Sequence, residues 1–600
     1  QAKLADLGRV NLNTRYTSIG YGALNTTIAQ RNRYESFGYQ ASANLNLEKF
    51  MYPKKTGLVV PMFVNYEKQR TTPQYDPLNQ DILLEESLKL FSDNPGDPDE
   101  LSRDEYKKLV ESHKTTRSIN FSNIRKDLVK EDAKNKIYGI ENFSFTYAYS
   151  DEVSSNHFTQ SRFRKNNSGG INYDYSPVTL VWTPFSESEA FQSPYLQLIR
   201  DINFSALPTS FSLSANLNRS FTRTQFFNDQ LTTDGVDPNF ERLFTFNRLY
   251  NFRWNIFKSL SFDYNANVRA VVDEIDVKGD INTKQERNYI WSQIANLGRM
   301  KSYDQNMSFT YQTPLGKLPF TNFLSADLKY VAGYTWTAGA LNQTDVNNNN
   351  FGNIIQNRRD RGVNGKVDVV KLYDKVTFLN NANGTNPAER STGQKALMTL
   401  MALKSVNVTY NIRESTSLAG FTPQAFLFGL DSTFNAPGAE FIFGSQNPNI
   451  RNKAARKGWL TESPFLTAPF TQSKGKDLAI RGTFKPFEDL SIQVDFAKSN
   501  TNGYQEIFRY DTLAEEYVTL TPSLSGSYSI SFLSIKTAFD QSGPENESNA
   551  FSTFERNLGI IQQRLSSSTG NDYDTLSQDV LIPAFLSAYA GKNPNNYRLN

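Results

Sequence analysis

His113 and His157 are the only histidines in the sequence, and cysteine is absent. The lack of cysteine excludes disulfide staples, thiolate nucleophiles, Cys-ligated zinc and iron–sulfur clusters from this stretch of chain. Two histidines exclude a multi-histidine metal centre, and any Ser-His-Asp chemistry would have to use one of those two rings. The adjacency of Ser112 and His113 carries no triad information, because triad members meet in space and not in sequence. The acidic stretch Asp93–Glu100 offers the clustered oxygens a hard cation wants. It lacks the alternating ligand order, the sixth-position glycine and the closing glutamate of a calcium loop, so a solvated loop is the better reading. Arg162-Phe163-Arg164-Lys165 and Arg358-Arg359-Asp360-Arg361 are the densest basic clusters. With no extended basic stripe they read as solvated loop charges, and no nucleic-acid partner is expected. Gly20-Tyr21-Gly22 continues into Ala23-Leu24-Asn25, which breaks a dinucleotide fingerprint, and no nucleophile elbow or Walker sequence occurs. No catalytic residue, no cofactor and no metal is expected, and the chain does not read as an enzyme.

Residues without chemistry of their own have to be explained by the elements that carry them. The 600 residues hold 64 Lys+Arg against 61 Asp+Glu, a balance of +3. At roughly 150 residues per domain the length suggests about four soluble domains, yet one large β-barrel can consume all of it. The mean hydropathy of −0.54 looks too polar for a membrane protein. No apolar run approaches the ~18 to 20 residues of a spanning helix. The aromatic fraction is nevertheless 13%, with 44 Phe and 30 Tyr. Strands that are apolar on one side only reconcile the two figures, since alternation dilutes the average. Aromatics at that density also argue against disorder.

Period-2 alternation is clearest between Phe244 and Ala270. Phe244, Phe246, Tyr250, Phe252, Trp254 and Ile256 share one parity, with Thr245, Asn247, Asn251, Arg253 and Asn255 on the other. After Phe257-Lys258-Ser259 the pattern resumes, with Leu260, Phe262, Tyr264, Ala266 and Val268 set against Ser261, Asp263, Asn265, Asn267 and Arg269. This predicts a hairpin with a greasy and a hydrated face. Phe244, Phe246, Phe252, Trp254, Phe262 and Tyr264 are expected to face lipid, and Asn251, Arg253, Asp263 and Asn265 to face a lumen. A second hairpin is expected across Lys485 to Asp489. A soluble sandwich would alternate too, but its strands run ~5 to 6 residues, whereas these reach the ~9 to 11 that cross a bilayer. Tyr334 and Trp336, near a strand end, suit an interfacial girdle and equally a large soluble core.

Sixteen candidate strands alternate in direction: 8–19, 35–50, 57–67, 115–124, 138–150, 168–176, 209–221, 242–256, 260–271, 303–313, 323–336, 362–370, 398–411, 476–485, 489–499 and 526–539. With the turn at 257–259 taken as periplasmic, the short turns at 51–55, 315–319 and 486–489 fall on the same side. The connections 177–208 and 371–397 are awkwardly long for that side. The loops around Asn348 and Phe441 are then external, and Leu372 to Leu379 periplasmic. Ser102–Glu105 and Thr283–Glu286 have capping-box spacing ahead of small loop helices, and 341–361 reads as an irregular loop. The opening Gln1-Ala2-Lys3 has no signal-peptide character and the ending has no final strand, so the chain is expected to be a piece of a longer polypeptide. Residues 1–600 form one fragment of a single barrel domain, and 540–600 read as a periplasmic or lumenal excursion. The fold class is all-β, part of a very large transmembrane antiparallel barrel with short helices in its loops.

Several strings carry a family likeness. Phe351–Asn357, Lys371–Leu379, Tyr75–Asn79, Tyr334–Gly339 and Asp579–Phe585 together resemble the SprA (Sov) family, the outer-membrane translocon of type IX secretion. The resemblance implies a very large barrel that exports folded proteins across the outer membrane of a Gram-negative bacterium and supports gliding motility in some bacteria. It implies as partners outer-membrane lipids, secreted protein substrates, a PorV-like barrel and a periplasmic plug protein. Known barrels reach about 36 strands, a figure that refers to this class and is not read from this sequence, so about 16 strands would be less than half. The family offers no catalytic residue to carry over. A TonB-dependent-type importer would share long aromatic strands but needs a plug domain and a closing strand, and a surface adhesin is the remaining alternative.

Overall fold

In the computed structural model the described residues are all but 1, 22–31, 52–56, 94–100, 130–135, 179, 229–231, 276–282, 342, 347, 385–390, 488, 532–547 and 600. Among them sixteen long strands, numbered here β1 to β16, run in chain order. They are β1 Gly8–Tyr21, β2 Asn32–Asn46, β3 Pro61–Pro73, β4 Ser112–Lys126, β5 Phe143–Ser155, β6 Thr159–Tyr175, β7 Ser210–Phe226 and β8 Asn239–Phe257. They continue as β9 Leu260–Val271, β10 Arg299–Gln312, β11 Leu324–Thr337, β12 Asn353–Asp368, β13 Leu403–Phe421, β14 Phe470–Phe487, β15 Leu490–Asp511 and β16 Glu516–Ile530. Each pairs antiparallel with the next, in an unbroken meander. Among the described residues no register joins β1 to β16, and the two-residue strand Ala2–Lys3 pairs with Arg9–Val10 of β1.

The sixteen expected strands are the sixteen found, and the differences lie in their bounds. β12 begins at Asn353, nine residues before the expected 362, so the stretch expected as an irregular loop to Arg361 is half strand. Its sequence, Asn-Ile-Ile-Gln-Asn-Arg-Arg-Asp-Arg-Gly, lacks the aliphatic alternation that marks a strand, and pairing to both neighbours supplies what the pattern omits. Arg358 to Arg361 are therefore strand residues on alternating faces, not solvated loop charges. β13 runs 403–421 and not 398–411, because Thr392–Leu400 is a helix, opened by a capping box from Ser391 and Gln394 and ending at Met401. β15 has 22 residues, about 73 Å at ~3.3 Å per residue, so the strand far exceeds a bilayer crossing. β16 ends at Ile530, and most of the expected 526–539 strand lies outside the described residues.

The connections hold structure of their own. Both expected capping boxes are formed, Ser102 with Glu105 ahead of Arg103–Val110 and Thr283 with Glu286 ahead of Lys284–Ala295. The long connection 177–208 contains a two-stranded ribbon of Val181–Trp182 with Phe204–Ser205 and the short helix Gln197–Arg200. In the other, short helices cover Val369–Tyr373 and Thr377–Gly384. After the sheet, helices Asn549–Thr569 and Gln578–Tyr589 pack together through Ile561, Leu565, Val580 and Ala584. The acidic stretch 94–100 lies outside the described residues.

Candidate functional site

The cross-strand register decides which side chains share a face. Phe252 stands opposite Tyr264, and Trp254 opposite Phe262, while Arg253 stands opposite Asp263 and Asn251 opposite Asn265. Side chains alternate between faces along a strand, so the six aromatics expected to face lipid share one face and the four polar residues share the other. Arg253 Nε donates to Asp263 Oδ1 at 2.6 Å, and Asn251 Nδ2 to Ser212 at 3.2 Å.

Carried across the sheet by the same register, the Arg253 face stays polar. One row reads Arg253, Asp263, Ser308, Val331, Asp360, Arg413, Gly475, Thr501 and Ser527. The opposite face bears exposed Leu12, Tyr16, Phe37, Ile119, Tyr147 and Ile171 on β1 to β6. On β11 to β16 it bears exposed Leu328, Val363, Ile492, Val494 and Leu524. A polar face backed by a long exposed apolar band is what a wall with water on one side and hydrocarbon on the other requires. A soluble sheet would have to cover that band.

The apolar face is not bare along its whole height. Toward the end of the strands that carries the 422–469 connection, protein covers it. The helix Lys284–Ala295 places Ile290 over Phe244, Phe246, Ala270 and Val272. Phe244 and Phe246 are thus buried within the protein, which corrects their expected exposure to lipid. A larger cover is the connection between β13 and β14. Its residues Phe441, Ile442, Ile450, Ala454 and Leu460 pack on Tyr303, Met307, Tyr334, Trp336, Ile355 and Leu418. Tyr334 and Trp336, each 1% exposed, form the core under this strap and not an interfacial girdle.

Polar side chains that interrupt the greasy face hold the strap. Gln305 donates to the Phe428 carbonyl at 3.1 Å, Trp336 Nε1 to the Pro423 carbonyl at 3.0 Å, and Tyr330 to the Phe443 carbonyl at 2.6 Å. Asn357 Nδ2 donates to the carbonyls of both Phe441 and Ser445 at 2.8 Å. Irregular backbone pressed on a sheet needs such partners, since buried carbonyls without them cost about 1 to 3 kcal/mol each. A buried ion pair completes the clamp, from Arg451 of the strap to Glu506 of β15 at 2.5 Å, with Arg451 stacked over Phe470 and Phe508. Gly429, at φ +78°, lets the strap lie against Tyr334, where a Cβ would meet the ring at 2.6 Å. Nearby, Glu414 of β13 gathers Arg359, Arg361 and Lys474. Two members of the basic cluster read from sequence therefore neutralise one buried carboxylate.

No chemistry-bearing constellation accompanies this architecture among the described residues. His113 lies against Glu111 at 3.4 Å, and His157 packs on Phe158. No group of three or more His, Cys, Asp or Glu could hold a metal ion among the described residues. No described helix is long and apolar enough to cross a membrane, which leaves the question of strands untouched.

Residues 1–88 match the family model SprA_N, described as a motility related/secretion protein. No curated protein matches the chain. Solved structures with some likeness include OccK11 (OpdR) of Pseudomonas aeruginosa, at 9% identity over 88% of this chain and 95% of that one, with a TM-score of 0.16. The FrpB iron transporter from Neisseria meningitidis, F5-1 variant, is 9% identical over 87% of this chain and 77% of its own, with a TM-score of 0.19. Scores this low carry no argument.

Proposed function

We propose that this chain, a motility- or secretion-related protein of the SprA family by the match over its first 88 residues, is part of the wall of an outer-membrane protein-export channel of the type IX kind. The observation that supports the membrane placement is the apolar band. Leu12, Phe37, Ile119, Ile171, Leu328, Val363 and Val494 are exposed on one face of one continuous sheet whose other face is polar. Exposed apolar area on that scale needs a cover, and hydrocarbon covers every strand without a specific partner for each. The family match supplies the secretion half of the reading.

On this reading the Arg253 face lines an aqueous passage, with Asn251, Arg253, Asp263 and Asn265 among its residues. Phe252, Trp254, Phe262 and Tyr264 belong to the outer face. The chain performs no chemistry, and its work is to enclose a water-filled path for secreted proteins. Open sheet edges are not stable in a bilayer, so on this reading the edges at β1 and β16, which do not pair with one another among the described residues, are covered in the assembled wall. A PorV-like barrel and a periplasmic plug protein are its proposed partners.

Depletion of the intact protein in its own cells tests the reading. Secretion substrates should accumulate in the periplasm while nutrient uptake continues. Lost uptake with normal secretion would point to an importer, and loss of neither would point to an adhesin. Co-purification of a second barrel with the intact protein tests the partner assignment.

A further inference from the structure

Beneath the edge of the strap lies a cavity of about 1040 Å³, between Phe252, Phe262, Met307 and Phe309 of the sheet and Phe428 and Ile442 of the strap. Its lining is mostly apolar, so water there would find few of the two to four polar partners it needs. Arg248 is its one charged residue, with Asn296 and Gln424 among its few polar ones. Arg248 is 5% exposed. Its Nε has no hydrogen-bond partner, and among the described residues no carboxylate pairs with it. The Phe246 ring, 5.2 Å from the guanidinium carbon, and the phenol groups of Tyr250, which takes a hydrogen bond from Arg248, and of Tyr303 are the groups its charge senses. A buried cation without a counter-charge is costly, and elsewhere on this face the protein avoids it: Glu274 meets Arg219 and Arg242, and Glu506 meets Arg451.

The geometry along the strands is also directional. Arg248 lies six residues from Trp254, whose cross-strand neighbour is Phe262, about 20 Å along the sheet at ~3.3 Å per residue. Phe262 and Phe309 are side by side, with ring centroids 4.6 Å apart, one row from Leu260 and Tyr311. The cavity thus runs from a cation at one end to the apolar band at the other. At its edge the strap exposes Phe426, Leu427, Phe428 and Phe443. Phe428 is held at φ +54°, a conformation costly for a side-chain-bearing residue.

We propose that this cavity binds an anionic membrane lipid, with its acidic headgroup on Arg248 and an acyl chain along Phe252, Phe262 and Phe309. The inference rests on the membrane placement argued above and is independent of export. The occupant is drawn from the bilayer that covers the apolar band, because the cavity is continuous with that band.

The test uses the intact protein, extracted from its membrane in mild detergent, and a phosphatidylglycerol with a photoactivatable diazirine in one acyl chain. Peptide mapping should place the crosslinks on 300–309 and 424–430. Unlabelled dioleoylphosphatidylglycerol should displace the probe, and uncharged dioleoylglycerol should compete roughly tenfold or more weakly, as expected for loss of a charge-assisted contact. Arg248→Gln should weaken labelling to a similar degree and Arg248→Lys much less. Leu430→Trp, which narrows the cavity and leaves Arg248 in place, should also lose it, with heat-modifiable migration checking that each variant is folded. Displacement by oleate but not by phosphatidylglycerol would overturn the lipid source. Equal competition by dioleoylglycerol would overturn the role of Arg248. Crosslinks spread evenly along the band at Leu328 and Val494 would show annular lipid and no site. A protein that stays soluble without detergent would instead refute the membrane placement, so the two failures are distinguishable.

Discussion

The clamp between Arg451 and Glu506 makes a quantitative prediction about the strap. The Glu506 side chain is fully buried and that of Arg451 is 18% exposed. Tyr504 donates a hydrogen bond to Glu506 Oε2, while Oε1 meets Arg451 through charge alone, without a hydrogen bond. Replacing Glu506 with Ala strands the Arg451 guanidinium between Phe470 and Phe508, and breaking a buried pair in this way costs about 3 to 5 kcal/mol. The sheet keeps its hydrogen bonds, so the loss should fall on attachment of the strap and not on assembly of the wall. At 1.4 kcal/mol per decade, 3 kcal/mol is roughly a 100-fold rise in the detached fraction. Ala454, which is 0% exposed on the strap helix Ile450–Arg456, is the reporter, because the chain has no cysteine of its own. Ala454→Cys should react with a water-soluble maleimide slowly in the parent and roughly 100-fold faster with Glu506→Ala, in the regime where opening is at equilibrium. The double variant Arg451→Met, Glu506→Leu should return most of the protection, since an apolar pair of similar volume can replace a buried ion pair. Equal labelling rates in parent and Glu506→Ala would refute the clamp, and a double variant as fast as the single one would show that shape and not charge had been lost.

Three further outcomes are expected. Leu328→Arg, in the exposed band, should destabilise the assembled protein by ~2 to 4 kcal/mol if it lies near the midplane, while Lys329→Arg next to it is neutral; urea midpoints in detergent compare the two, and equal tolerance would refute the assignment of faces. Single cysteines at Asn348 and Thr377 should label differently on intact cells with an impermeant maleimide, Asn348 reacting and Thr377 not; the reverse would invert the sheet in the membrane. In the connection between β3 and β4, burial alone would raise the carboxyl pKa of Asp76, but hydrogen bonds from Tyr106, at 2.7 Å, and from the Leu78 amide hold it below its ordinary value. A depressed folded-state pKa contributes stability above the unfolded value of about 3.9, and loses it as pH falls through the folded one. Amide-exchange protection around Tyr106 and Val110, taken relative to the intrinsic rate at each pH, should therefore be high at neutral pH and fall below about pH 4; Asp76→Asn should remove that fall, and its persistence would locate the titration elsewhere.

The wall was legible in the sequence because one rule generates all of it. Alternation at period 2 sets the hairpin of β8 and β9 to within a few residues, and it separates Phe252, Trp254, Phe262 and Tyr264 from Asn251, Arg253, Asp263 and Asn265, as the register does. The rule weakens where a strand has another task. Asn353 to Arg361 pattern poorly because Asn357 holds two strap carbonyls, and Arg359 and Arg361 neutralise Glu414.

The strap itself could not be read from periodicity, and the reason is physical. Its short helices, Ala439–Ile442 and Ile450–Arg456, are separated by turns, so no regular spacing marks its buried side. Its partners lie on eight strands, from Tyr264 of β9 to Tyr517 of β16, and contacts that distant in sequence leave no local signature. A signal does exist on the other side of the interface. Gln305, Asn357, Thr416 and Gln472 form one cross-strand row on the greasy face, where hydrocarbon would tolerate none of them without partners. Three of the four are amides whose two donors and two acceptors suit backbone. Gln305 and Asn357 donate to strap carbonyls, Gln472 donates to the Gln446 carbonyl, and Thr416 bonds the Gln446 side chain. A row of amides crossing an otherwise apolar face therefore marks where that face stops meeting lipid and starts meeting protein. The same reasoning separates Arg248, on that face with no strap carbonyl and no carboxylate as partner among the described residues, from every amide in the row.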